Sequence, residues 1–141
     1  MVYRALLKLP YEQDYRDHYK QHYLNQSPIK TFDDIGVSFK LANLMELIRK
    51  DPGPNLPREF CPQRAERLDW IKVALQDAGA GLYFGYDHKA KVVDYNRRIA
   101  IVDFNYAVII RMTGEKRAAM LTAYPMDSGP LALAKSNPVW T

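Results

Sequence analysis

Tyrosines at a constant step of four residues dominate the start of the pattern: Tyr11, Tyr15, Tyr19 and Tyr23. A period close to 3.6 predicts a helix over 11–25 with the four rings on one face. Such a stripe packs on the body of the protein, the sharper alternative being a platform on which bases stack. Ser27 and Pro28 break the chain. A second helix is predicted over 31–50. Thr31, Asp33 and Asp34 suit its N-terminus, Arg49 and Lys50 its C-terminus, and Ile35, Phe39, Leu41, Leu44, Leu47 and Ile48 its apolar face. Gly36 weakens its first turns. The opening residues 2–9 read as a short strand or a helical turn closed by Pro10.

The run Asp51-Pro52-Gly53-Pro54-Asn55-Leu56-Pro57 fits neither helix nor central strand. It divides the sequence into a helical accessory region, 1–57, and a core, 58–141. The core begins with a helix at 63–78, whose stripe is Leu68, Ile71, Leu75 and Ala78, with Gly79 and Gly81 ending it. A polar segment, 86–91, precedes strands at 97–104, 106–112 and 117–124. Their joints are short, which makes them antiparallel neighbours. A further strand falls at 82–86 or 92–95, and the tail after Pro125 is expected to be irregular. The predicted fold is α+β, with N-terminal helices packed on an antiparallel meander of about four strands.

The net charge of +4 and the pI of about 9.1 are compatible with a polyanionic partner. One cysteine, Cys61, excludes an internal disulfide and a multi-cysteine metal site. There is no apolar run of membrane length, and the start is too short and too soon interrupted for a signal peptide, so action in the cytosol is expected, with delivery by other means if the protein is exported. Asp14, His18 and His22 also step by four. Two such histidines can share a metal, but spacing supplies no third ligand, and a solvated helix face is expected. Small-molecule hydrolases and transferases are disfavoured, because the chain has no glycine-rich phosphate loop and no serine nucleophile elbow.

Candidate chemistry lies around the strands. Alternation puts Ala107, Ile109 and Arg111 on one face of the second strand, and Ala118, Met120, Thr122 and Tyr124 on one face of the third. Arg111 among apolar neighbours needs an anion, either a structural ion pair or a phosphate in a groove. Arg64, Arg67 and Lys72 lie on the preceding helix and His88 in the loop between. Metal-free RNA cleavage needs a base for the 2′-hydroxyl, an acid for the leaving 5′-oxygen and cations for the charge that develops. His88 suits the first two roles, since imidazole titrates near neutrality, although a lone loop histidine is also simply exposed.

The run Arg67-Leu68-Asp69-Trp70-Ile71-Lys72, followed by strands and then Leu121-Thr122-Ala123-Tyr124-Pro125, resembles the barnase–EndoU–colicin–RelE nuclease superfamily, in its phage- and toxin-associated branch. The likeness covers about 64–126. It implies a sheet that cradles RNA, often tRNA, and metal-independent cleavage to a cyclic phosphate without a cofactor. A cognate inhibitor or immunity protein is commonly the partner. By position, Thr122 and Tyr124 match the last strand, and Arg67 and Lys72 the helix. The combined expectation is a toxin-type endoribonuclease. His88 acts as acid or base, Arg111 and Lys72 stabilise charge, and Thr122 and Tyr124 position phosphate and ribose. The rival is a non-catalytic RNA- or protein-binding module on the same scaffold.

Overall fold

The computed structural model describes residues 5–141; positions 2–4 of the opening segment lie outside them, and 5–9 form neither helix nor strand. Helix α1 spans Glu12–Tyr19 and continues through one wider turn at Lys20–Leu24. Its stripe is core. Tyr15, Tyr19 and Tyr23 are buried while Tyr11 is 72% exposed. Each buried hydroxyl donates to a backbone carbonyl, of Leu7 (2.8 Å), Lys40 (2.6 Å) and Leu68 (2.7 Å) respectively. A buried phenol needs such a partner. Burial also raises the pKa of Tyr19 and Tyr23, so both hydroxyls stay protonated as donors.

The helix expected over 31–50 is mostly something else. Strands β1 (Ile29–Lys30) and β2 (Gly36–Ser38) flank a tight turn, and only α2 (Leu44–Ile48) is α-helical. The turn forms because the Thr31 hydroxyl accepts the Ile35 N–H at 2.9 Å, and because Asp34 takes a left-handed φ of 66°. Ile35, Val37 and Phe39 are buried at alternate positions, which is a strand period. The Pro-rich run is a loop between two short strands, β3 (Arg49–Lys50) and β4 (Glu59–Phe60). The helix expected at 63–78 is two pieces, α3 (Pro62–Ala65) and α4 (Trp70–Leu75).

Four long strands follow: β5 (Gly81–Asp87), β6 (Val92–Val102), β7 (Tyr106–Gly114) and β8 (Arg117–Pro125). They form an antiparallel meander as expected, but the sheet has six strands in the order β1-β2-β8-β7-β6-β5, and β2 runs parallel to β8. The tail is ordered as well. Helix α5 covers Ser128–Lys135, with Pro130 in its first turn, where a missing N–H costs nothing. Residues 138–140 then pair with the free edge of β5.

The α+β sheet has two unlike faces. The inner face packs against the helices through Val108, Ile110, Ala118 and Met120, joined by Tyr19, Tyr23, Val37 and Leu44 from before the Pro-rich loop and Leu68 and Ile71 from after it. Both sides of residue 57 thus build one core, and the first 57 residues supply strands as well as helix. The outer face carries a smaller cluster, Ile99, Ile101 and Ala107, on which Ala134 and Leu131 of α5 sit. The rest of that face, toward Arg97 and Arg111, lies beyond this apolar cluster.

Candidate functional site

A bulge in β8 decides which side chains share the outer face. The register moves from Ile110↔Met120 to Ile109↔Thr122, leaving Leu121 as the extra residue. Strict alternation, which grouped Ala118, Met120, Thr122 and Tyr124, therefore fails at Leu121. Ala118, Met120 and Ala123 face the helices, whereas Thr122 and Tyr124 stand opposite Ile109 and Ala107. Those two share the outer side with Arg111, and Tyr124 packs against its apolar cluster.

Around them lies a basic surface. Arg97 and Arg111 are direct cross-strand neighbours, an arrangement that is destabilising unless an anion intervenes. Asp94 intervenes, with its Oδ2 3.1 Å from Arg97 Nε and 3.5 Å from Arg111 Nη2. The two guanidiniums share this carboxylate and also act on that of Asp87, and 48% of the Arg111 side chain is exposed, which keeps positive charge at the surface. Arg117, also exposed, adds to it. The next positions in these rows are small: Ala119 beside Arg111, Ser38 beside Ala119 and Gly36 beside Arg117. The floor between the arginines is thus low.

At the far edge of β8, the Arg64 guanidinium lies 5.0 Å from the centre of the Tyr124 ring and donates to the carbonyls of Glu46 (3.3 Å) and Arg49 (3.0 Å). Burial raises the Tyr124 pKa against the pull of Arg64, which keeps the phenol a donor. The Thr122 hydroxyl donates weakly to the Glu46 carbonyl at 3.4 Å.

Gly85 makes the arginine row fit. A Cβ there comes 2.5 Å from the Cβ of Arg97, too close for any side chain. Gly85→Ala is expected to lose about 1–3 kcal/mol in denaturant unfolding, as overpacking does, because the Cβ of Arg97 is fixed to its backbone and β5 and β6 must shift apart to make room.

Three of the six residues selected from sequence are elsewhere, so the set does not share one cleft. His88 follows β5, its ring 5.0 Å from that of Tyr86. Alternation puts Tyr86 on the opposite side from Asp87, and it is the Asp87 carboxylate that senses Arg97 and Arg111. That carboxyl is held below its usual range chiefly by the backbone N–H groups of Ala90 and Lys89, with smaller help from the two arginines. Lys72 and Arg67 belong to the helical layer. Lys72 Nζ donates to Gln26 Oε1 at 2.8 Å, and Arg67 lies 5.0 Å over the Trp70 ring. Both side chains are held within the helical layer, away from Arg111.

In that layer His18 and His22, expected on a solvated helix face, are instead half-buried between elements, because Asp69 comes up against His18. His18 Nε2 is 2.7 Å from Asp69 Oδ1, and the His22 ring lies 4.3 Å from that of His18. The four-residue step of His18 and His22 was legible in the sequence; what it lacked was their partner Asp69, which sits at the N-terminus of α4. A cleft of about 290 Å³, lined by Leu6, Leu7, Asp69, Trp70 and Val73, adjoins them. Among the described residues no group of three or more histidine, cysteine or acidic side chains is placed to hold a metal ion. None of the helices described is long and apolar enough to cross a membrane.

Fold and surface together define an α+β protein with one helix-packed sheet face and one arginine-bearing face. Comparison of the chain with models of known families, with curated proteins and with solved structures gives no match.

Proposed function

We propose that this protein acts on RNA, holding the phosphate backbone on the outer face of its sheet. The reading rests on the Arg97–Asp94–Arg111 row with Arg117 beside it, where three guanidiniums meet the carboxylates of Asp94 and Asp87, and on Thr122 and Tyr124 on the same side. Guanidiniums offer paired donors that match phosphate oxygens, and hydroxyls add sequence-independent contacts. Binding of a labelled single-stranded RNA should weaken as salt rises. In Arg111→Ala/Arg117→Ala the slope of log K against log salt should fall by about 1.4, the loss of two phosphate contacts. An unchanged slope rejects this face as the contact surface.

A second reading, a metal-independent endoribonuclease of toxin type, is favoured by the helical layer. There His18, positioned by Asp69, touches His22, and Lys72 lies one turn beyond Asp69. Two imidazoles in contact, one of them hydrogen-bonded to a carboxylate, supply the kind of proton-transfer groups that 2′-hydroxyl attack and 5′-oxygen departure require. Under this reading the arginine face tethers a folded RNA, tRNA for example, while a strand passes round a sheet edge, and a cognate inhibitor covers the cleft. Pure protein incubated with total tRNA in EDTA should then cut it. His18→Ala and His22→Ala should each reduce the rate about a hundredfold or more, and His88→Ala should not. Intact tRNA at high protein concentration leaves the binding reading alone standing.

A further inference from the structure

Arg98 is the largest fully buried side chain, 1% exposed, and it is incompletely satisfied. Its Nη1 donates to Asp33 Oδ2 at 2.7 Å, while its buried Nη2 has no hydrogen-bond partner. A buried guanidinium N–H without an acceptor costs free energy and asks for an explanation. The guanidinium is sandwiched between the rings of Phe32 and Trp140, each centred 5.7 Å away. Trp140 also packs on Phe84, with centroids 4.8 Å apart.

Trp140 comes from a thin segment. Residues 138–140 lie along the outer edge of β5, held there by two backbone hydrogen bonds, Phe84 N–H to the Pro138 carbonyl and Trp140 N–H to the Leu82 carbonyl, each 2.9 Å. Val139 is 64% exposed, so apolar burial there falls mainly to one ring. This is strand addition by the chain to itself, with an aromatic anchor in a slot whose floor carries an unused donor.

We propose that the edge of β5 and the slot between Phe84 and Arg98 form a docking site for an extended peptide of a partner protein, which displaces residues 138–140. The partner's peptide would repeat the two backbone bonds, place an aromatic ring where Trp140 lies, and add the feature the resident segment lacks. That feature is an acceptor for Arg98 Nη2, best a carboxylate two residues before the aromatic, where Pro138 stands opposite Phe84 on the same side of the strand. The resident segment is then an intramolecular competitor. Being tethered, it sets a high effective concentration that an incoming peptide must overcome.

The test uses a labelled peptide copying 136–141 and a second one with aspartate in the place of Pro138. The full-length Trp140→Ala chain should bind the copy at least tenfold more tightly than the wild type does. The aspartate peptide should bind it several-fold more tightly again, and Arg98→Met should erase that gain. Hydrogen exchange on the wild-type chain gives an answer that does not depend on a variant folding. The Phe84 and Trp140 amides should exchange at least a hundredfold faster than those shared by β6 and β7, and added peptide should slow the Phe84 amide. Exchange of Phe84 and Trp140 at the global rate, or no binding by a folded Trp140→Ala chain, overturns the proposal. Displacement of the peptide by single-stranded RNA at equal potency overturns it too, by assigning the slot to bases.

Discussion

Asp33→Ala should destabilise the protein by about 3 kcal/mol, the loss expected when one partner of a buried ion pair is removed and the other charge is stranded. The stranded group is Arg98, which is 1% exposed where Asp33 is 32% exposed, so the burden falls on the arginine. Removing both charges, in Arg98→Met/Asp33→Ala, should return most of the loss, because a methionine fills the space between Phe32 and Trp140 without asking for acceptors. Denaturant titration of the single and double variants decides the matter. A double variant as weak as Asp33→Ala means the aromatic sandwich, and not the charge, is what the site needs. Acid should act in the same sense. Partial burial opposes ionisation of Asp33, but hydrogen bonds from Thr31 and Arg98 and the Arg98 charge outweigh it and hold its carboxyl below the usual value. A depressed carboxyl contributes stability that is present above its unfolded-state pKa and lost as pH falls through the folded one. The gap between wild type and Arg98→Met/Asp33→Ala should therefore narrow below about pH 4.

The second large effect belongs to α1. Tyr23→Ala should cost about 3–5 kcal/mol, the range for deleting a buried aromatic side chain, while Tyr11→Ala should stay within about 0.5 kcal/mol. Tyr23 is fully buried, stacks on Tyr19 at 5.6 Å and caps the Leu68 carbonyl, whereas Tyr11 is largely in solvent. Thermal unfolding of the two variants, together with their RNA affinity, separates a packing stripe from a stacking platform. A platform predicts the reverse order, with stability untouched and affinity lost.

What the sequence made legible follows from how local each signal is. The tyrosine step, the short joints between β6, β7 and β8, and the apolar stripe at Leu68, Ile71 and Leu75 all act within a few residues, and each marks an observed element. The errors lie where a distant partner decides. Ile35 and Phe39 join an apolar list that suits a helix, but β8 offers Val37, midway between them, a strand partner, Ala118, that no local pattern announces. The tail was expected to be irregular because Gly129 and Pro130 are helix breakers in an interior, and in the first turn of α5 they are not. Among site residues, Arg111, Thr122 and Tyr124 were placed on adjacent strands, and their common face depends on a bulge that alternation cannot foresee. Lys72 and Arg67 join them in the expected site through their place on the preceding helix and the family resemblance, and the sheet itself separates the two groups. His18 and Asp69 meet across two helices, a pairing that no single-segment pattern contains.

The parallel pairing of β2 with β8 joins the first third of the chain to its last quarter. Closing so long a loop costs entropy before any contact repays it, and contacts of high sequence separation slow folding. The meander from β5 to β8 is local and can zip first, leaving β8 as a bare rim until Gly36–Ser38 arrives. During that interval the exposed backbone is open to a neighbouring molecule, so the parallel strand acts as a late closure that protects the nascent chain from sticking to its own kind.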